Sequence, residues 1–212
     1  MRAIAQACEP CHEPPPVIVQ AASLAIYGDA GDRICDEDAP HGRGFSVEVC
    51  EAWENAFFDG EAPAGARRVA LRIGFVLGRD GGALAPLAKL ARWFVGGAAG
   101  GGRQYISWIH IDDVCAMVRW AIENEEATGA YHAPGPTPVT NAEFMRALRG
   151  ALGRPWSPPT PAWGVKFTAS FIIQADASLA LTGRRCVPRR ICDEGFVVKH
   201  PELNATLREM LL

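Results

Sequence analysis

Uninterrupted apolar runs alternate with amphipathic stretches along this chain. Residues 17–22 (VIVQAA) are β-branched and uncharged, the pattern of a strand covered on both faces. Residues 68–77 (RVALRIGFVL) predict a second buried strand, ended by Gly78 to Gly82. Between them, 45–58 has apolar residues at 45, 49, 53, 57 and 58, one face of a helix. The pattern then predicts a helix over 83–95, a glycine-rich turn at 96–102 and a strand at 105–109. A helix at about 112–124, a short strand at 130–133 and a helix at about 140–152 follow. Thr140 with Glu143 three residues on is a capping-box signal. Prolines at 10 and 14–16 stop a short helix within 1–9. The proline-rich stretch 155–161 reads as a linker before a helix near 162–181 and a last helix at about 201–212. Strands alternating with helices over the first 125 residues predict an α/β fold, and the tail reads as mostly helical.

Composition narrows the class. The 212 residues are 49% hydrophobic and 21% charged, enough to bury a sizeable core in one large domain or two small ones. A net charge of −3 gives a nucleic-acid partner no electrostatic support. The longest apolar runs fall far short of the roughly 18 residues that cross a bilayer, and residues 1–16 contain no signal-peptide core. Seven cysteines, an odd number without framework spacing, predict reduced thiols and a cytoplasmic protein.

Motifs that carry chemistry are sparse. GxGxxG, GxxGxxG and GxxxxGK[ST] do not occur, and the glycines at 96–102 read as a flexible connection. CEPCH (8–12) has the spacing of a haem attachment or half a zinc site, but no second ligand pair accompanies it. Cys50 with Glu54 one turn later reads either as a nucleophile activated by His41 or His110, or as a core cysteine. Ser23 follows a buried strand, where α/β proteins place ligands. His110, Asp112 and Asp113 read as a metal cluster or, more simply, as an aspartate-capped helix start with the histidine satisfied locally; no metal site is expected. Arg184, Arg185, Arg189 and Arg190 form a basic patch, for which a solvated surface is the simpler reading than a phosphate site.

The segments YGD (27–29), DEDAP (36–40), FSVEVCEAWE (45–54), LRIGFVLGRDGGAL (71–84) and RQYISWIHIDDV (103–114) resemble, in this order, the YfcH-like (SulA-like) branch of the NAD(P)-dependent epimerase/dehydratase family, within the extended short-chain dehydrogenases/reductases. GAYHAPGPTPVTNAEFMRAL (129–148) and the tail 181–207 continue the likeness. The resemblance implies the C-terminal portion of a Rossmann-type parallel sheet plus a small, mostly helical substrate-side domain. The division would be 1–125 and 126–212, with the family tail at about 160–212. VIVQAA resembles the fifth strand of the family sheet, so four strands and the glycine-rich turn are expected upstream of Met1.

By the same resemblance, Ser23 falls on the catalytic Ser/Thr position, and Cys50 and Glu54 replace the tyrosine and lysine of Tyr-x-x-x-Lys. Tyr27, Arg72, Gly74, Phe75 and Val76 would line the nicotinamide side, and Arg103 and His110 the substrate side. The superfamily's diphosphate-binding arginine corresponds to Ile106. A carboxylate raises a neighbouring thiol's pKa where an ammonium would lower it, so the usual acid/base pair is not supplied. The implied function is an NAD(P)-dependent, nucleoside-diphosphate-sugar epimerase-like oxidoreductase, N-terminally truncated and weak or inactive, using NAD or, slightly favoured, NADP. Two other readings are a non-catalytic binding module on the same fold and a reactive Cys50 thiol in unrelated chemistry. The expected partners are an unidentified small-molecule substrate and a second copy paired through the 45–58 helix, with neither nucleic acid nor membrane.

Overall fold

In the computed structural model, which describes residues 2–8, 10–79, 81–82, 84–158 and 182–212, three parallel strands hold the centre. They are β1 (Val17–Ser23), β3 (Arg67–Ile73) and β7 (Gly129–Ala133), in the order β1-β3-β7. The register sets Ser23 beside Ile73 and Ile73 beside Ala133, so the three carboxyl ends finish in one row. Helix α1 (Arg2–Cys8) precedes the sheet, and α2 (Phe45–Phe58) connects β1 to β3. Side-chain alternation builds the layers. Val69 and Leu71 pack with Val114, Met117 and Ala121 of α4 (Ile111–Glu123) on one face. Ala22 and Ala70 meet Phe57 of α2 in a separate cluster. This is the expected α/β architecture. Met117 is fully buried, and its truncation to alanine would cost about 2–5 kcal/mol.

The run 68–77 is two strands, not one. At Gly74 the chain changes partners: its N–H donates to the Ala133 carbonyl (3.3 Å), and the Phe75 N–H donates to that of Ser107 (2.7 Å). β4 (Phe75–Leu77) then runs parallel to β6 (Trp108–His110). A Cβ on Gly74 would stand 2.2 Å from the Ser107 carbonyl oxygen, so the crossover requires glycine. The 105–109 run is divided too, because β5 (Tyr105–Ile106) pairs antiparallel with β8 (Val139–Thr140) before β6 begins.

A second core gathers Leu77 and Trp108 with α3 (Leu84–Arg92), α5 (Asn141–Ala151) and α7 (Leu203–Leu211). The capping box at α5 forms as expected: Thr140 Oγ1 accepts the Glu143 N–H, and the Glu143 carboxylate accepts the Thr140 N–H at 2.8 Å. The tail adds β9 (Arg185–Cys186), parallel to β2 (Ile34–Cys35), and the short helix α6 (Arg189–Asp193). The 125/126 division falls just before β7, which joins the central sheet. The helix expected near 162–181 lies outside the described residues. No helix among the described residues is long and apolar enough to cross a membrane.

The orientation of α2 departs from the apolar pattern. Its buried face is Val47, Cys50, Glu54 and Phe57, while Phe45 and Trp53 are 79% and 56% exposed. Periodicity placed 45, 49 and 53 inward. The helix turns Glu54 inward instead, because Arg72 of β3 receives its carboxylate there.

Candidate functional site at the carboxyl end of the sheet

Ser23 ends β1, and its hydroxyl oxygen accepts the Ala25 N–H (3.1 Å), starting a 3-10 turn over Leu24–Tyr27. That bond uses a lone pair and leaves the Ser23 O–H as a donor. The turn carries Tyr27 into the interior, where it is 0% exposed.

Beneath Ser23 lies a closed polar network. Arg72 grips Glu54 with two bonds, Nε to Oε1 at 2.8 Å and an Nη to Oε2 at 2.7 Å. It also donates to the Tyr27 hydroxyl at 2.6 Å. That hydroxyl lies 2.7 Å from His132 Nε2, and His132 Nδ1 lies 3.0 Å from the Val187 carbonyl. A carbonyl only accepts, so Nδ1 carries the hydrogen and Nε2 accepts the Tyr27 proton. The Asp36 carbonyl, 3.1 Å away, has the weaker hold on that proton. Burial pushes the His132 imidazole down to about 4, so it is neutral, and burial raises the Tyr27 phenol well above its ordinary value. Neither group titrates near neutral pH, and the sealed Tyr27 ring presents no edge to a ligand. His41 is engaged as well: Nδ1 pairs with Glu51 (2.8 Å), and Nε2 accepts from Arg72 (3.3 Å).

Cys50 faces the same interior, packed with Leu24–Tyr27, Cys35 and Cys186. Its thiol is raised, by burial first and by the Glu54 carboxylate second. The thiolate a nucleophile requires is therefore disfavoured. Glu54, neutralised by Arg72, is not a free acid or base. The structure thus brings Ser23, Tyr27, Cys50, Glu54 and Arg72 together, with Ser23 half-buried at the strand end and the others packed behind it.

The remaining predicted residues lie apart or serve packing. Phe75 meets Phe144 edge-on (5.7 Å), and Val76 packs against the sheet–α4 core. Arg103 is exposed on the turn before β5. His110 caps α4 itself, with Nδ1 accepting the Asp112 N–H at 3.0 Å, so the cap is the histidine rather than an aspartate. Asp113, fully buried, instead grips the tail through the Lys199 N–H (2.8 Å), the His200 N–H (3.0 Å) and His200 Nδ1 (3.1 Å). His110, Asp112 and His200 lie within 4.8 Å of one another. The two rings stack at 3.9 Å and 22°, however, so their in-plane lone pairs do not converge on an ion.

Sequence reasoning missed three features. Glu37, within the DEDAP segment, accepts the His132 N–H (2.9 Å) and the Arg190 N–H (3.3 Å), clamping the sheet to the tail. Asp36 pairs with Arg189 at 3.0 Å, which holds its carboxyl below the usual range. Arg184, assigned to a solvated patch, is half-buried. Neither carboxylate has a local signal, since its partners lie far along the chain.

A parallel sheet with helices on both faces, its strand ends aligned at Ser23 and a helical tail beside them, defines a Rossmann-like α/β protein of the epimerase type. Residues 160–210 match the family model described as Domain of unknown function (DUF1731). The chain is 34% identical over 211 residues to the epimerase family protein SDR39U1 of Mus musculus, covering 98% of this chain and 70% of the mouse protein. It is 33% identical over 202 residues to the chloroplastic SDR39U1 homolog of Arabidopsis thaliana, covering 95% of this chain and 56% of the plant protein. The fold superposes on the crystal structure of human SDR39U1 (isoform 2) with NADPH, with a TM-score of 0.86 and 32% identity over 97% of this chain and 68% of the human one. The chain belongs to the SDR39U1 epimerase family, and it spans 56% of the plant relative and 70% of the mouse one.

Proposed function

We propose that this protein is an NAD(P)-dependent oxidoreductase of the epimerase/dehydratase type, and that these 212 residues supply its nicotinamide- and substrate-facing part. The observation that carries the reading is the row Ser23–Ile73–Ala133 at the carboxyl end of a sheet that superposes on an NADPH-containing relative. Carboxyl ends of parallel strands are where such folds bind ligands. The residues fit a nicotinamide in part. The half-buried Ser23 keeps its O–H as a donor for an amide, hydroxyl or carbonyl oxygen. No glycine-rich strand–turn–helix for a pyrophosphate is among these residues. A bound nicotinamide would supply the hydride acceptor or donor.

The chain's own contribution is then positional. Arg72, Glu54 and His132 hold the turn that carries Ser23, and the protonated Cys50 thiol lies behind it. The locked Glu54 and the raised Cys50 favour a second reading, a dinucleotide-binding protein that turns nothing over. Membership of the YfcH-like branch, NADP over NAD, a cytoplasmic location and pairing through the exposed Phe45/Trp53 face of α2 belong to the same proposal.

Ligand-observed NMR with NADPH and NADH tests it, because saturation transfer detects weak binding and reports which end of the ligand touches protein. The expected result is transfer to the nicotinamide protons exceeding that to adenine, and reduced in Ser23→Ala. Contact through adenine alone, or none with either dinucleotide, would overturn the reading.

A further inference from the structure

The three arginines of β3 are held by carbonyls or a carboxylate. Arg67 donates to the carbonyls of Ala127 (2.7 Å) and Ile122 (3.2 Å), Arg68 donates to that of Phe57 (2.8 Å), and Arg72 is held bidentately by Glu54. Arg184, in the tail, differs from these three. Among the described residues its guanidinium makes one long hydrogen bond, 3.4 Å to Thr182 Oγ1, and no ion pair with a carboxylate. Yet it is half-buried, and a desolvated cation without an anion is unfavourable.

Its backbone is fixed on both sides. The Gly183 N–H donates to Asp29 Oδ1 (3.3 Å), and the Gly183 carbonyl accepts the Ala30 N–H (2.9 Å). A Cβ at Gly183 would stand 2.3 Å from the Tyr105 nitrogen, so the tail presses directly on β5. The Arg184 N–H donates to the Tyr105 carbonyl (3.3 Å), while the Arg184 carbonyl accepts Ser107 Oγ–H (2.8 Å). The same Ser107 oxygen accepts the Cys186 N–H at 2.9 Å. From this anchored base the guanidinium acts electrostatically on Cys186, Cys50, Asp29 and Cys35. Cys50 and Cys186 pack against Leu24–Tyr27, the turn that follows Ser23.

We propose that Arg184 binds the anionic group, a carboxylate or a phosphate, of the small molecule that this protein takes at the Ser23–Cys50 end of the sheet. The assignment rests on the function proposed above and names its substrate class. The guanidinium is a rigid fork of donors that matches both anions bidentately. Among the described residues no carboxylate lies in ion-pair contact with that charge, and Asp29 acts on it only at longer range. The thiols of Cys186 and Cys50 are raised and hence neutral, and Asp29, which accepts the Gly183 N–H, makes no hydrogen bond to the guanidinium. Burial accordingly pulls the Arg184 pKa down, whereas at Arg72 the Glu54 and Tyr27 contacts outweigh burial and raise it. The position also explains why a tail segment is stitched so closely to β5 and to the 29–30 loop: it fixes a cation beside the sheet's ligand-facing end.

Titration calorimetry with sodium phosphate and with sodium acetate, at constant ionic strength, tests the assignment on the full chain. Wild type is expected to bind at least one anion, and whichever binds more tightly identifies the group. Arg184→Met should weaken that binding about tenfold or more, the loss typical of a charged hydrogen bond. Arg184→Lys keeps the charge without the fork and should fall between, which decides the matter if the methionine variant does not fold. Arg119→Met, at an exposed position on α4, should bind as wild type. No binding of either anion by wild type, or unchanged binding in Arg184→Met and Arg184→Lys, would overturn the proposal. Anion binding is read without a dinucleotide, so its failure is separable from failure of the nicotinamide contact.

Discussion

Arg72 and Arg184 both act on the Cys50 thiol, one from the central sheet and one from the tail, and they show two uses of the same side chain. Arg72 is closed on every side: Glu54 takes two of its donors, Tyr27 a third, and the Arg72 and Glu54 side chains are 7% and 8% exposed. Arg184 is partly desolvated with no comparable partner among the described residues. A saturated buried ion pair orients what surrounds it, and breaking it is severe because the surviving charge is stranded. A half-buried cation left open adds little to the folded state and stands ready for an external anion. The difference separates the scaffold beneath Ser23 from the surface that faces a ligand.

Several measurements sharpen this contrast. The largest effect is expected for Glu54→Ala, which strands the Arg72 charge and should lower unfolding stability by about 3–5 kcal/mol in chemical denaturation. Next comes pH. His132 has an ordinary pKa of 6.5 and is pushed down to about 4 in the fold. Between these values the unfolded chain binds a proton that the folded chain does not, so stability falls as pH drops from 6.5 towards 4 and is unaffected above 6.5. The full effect is about 3 kcal/mol. His110, also lowered by burial first and by His200 second, adds in the same direction. A His132→Gln variant should lose the larger part of that slope in denaturation curves taken across the range. The smallest effect concerns Cys50, whose thiol is raised by burial and then by Glu54, and lowered by Arg184. Its alkylation should slow in Arg184→Met and quicken in Glu54→Gln, each by a few-fold, since one pKa unit is a factor of ten in thiolate.

The scaffold was more legible in the sequence than the site. The run at 68–77 announces the buried strand β3, because parallel strands covered on both faces need apolar residues throughout; the run at 17–22 forms a strand as expected, but at the edge of the described sheet, where Ala22 is buried and Ala21 exposed. The Thr140/Glu143 spacing announces its cap because both partners lie within one turn. The direction of the Cys50 shift was readable for the same reason, Glu54 being one turn away. What escaped depends on long-range partners. The inward turn of Glu54 reflects a partner 18 residues distant, and Glu37 reaches His132 across 95. Arg184 sits in a patch of four arginines that looks solvated, and its contact with β5 involves Tyr105, far back along the chain. The break at Gly74 was hidden too, since nothing in RVALRIGFVL shows that another backbone passes 2.2 Å from where a Cβ would be.

The most direct test sets Arg72→Met beside Arg184→Met in chemical denaturation of the ligand-free chain. Arg72→Met should lose about 3–5 kcal/mol, because Glu54 is left buried and unpaired. Arg184→Met should lose nothing measurable or gain slightly, because a desolvated charge without a partner is removed. Equal losses in the two variants would contradict the division between a closed structural arginine and one held open for a ligand.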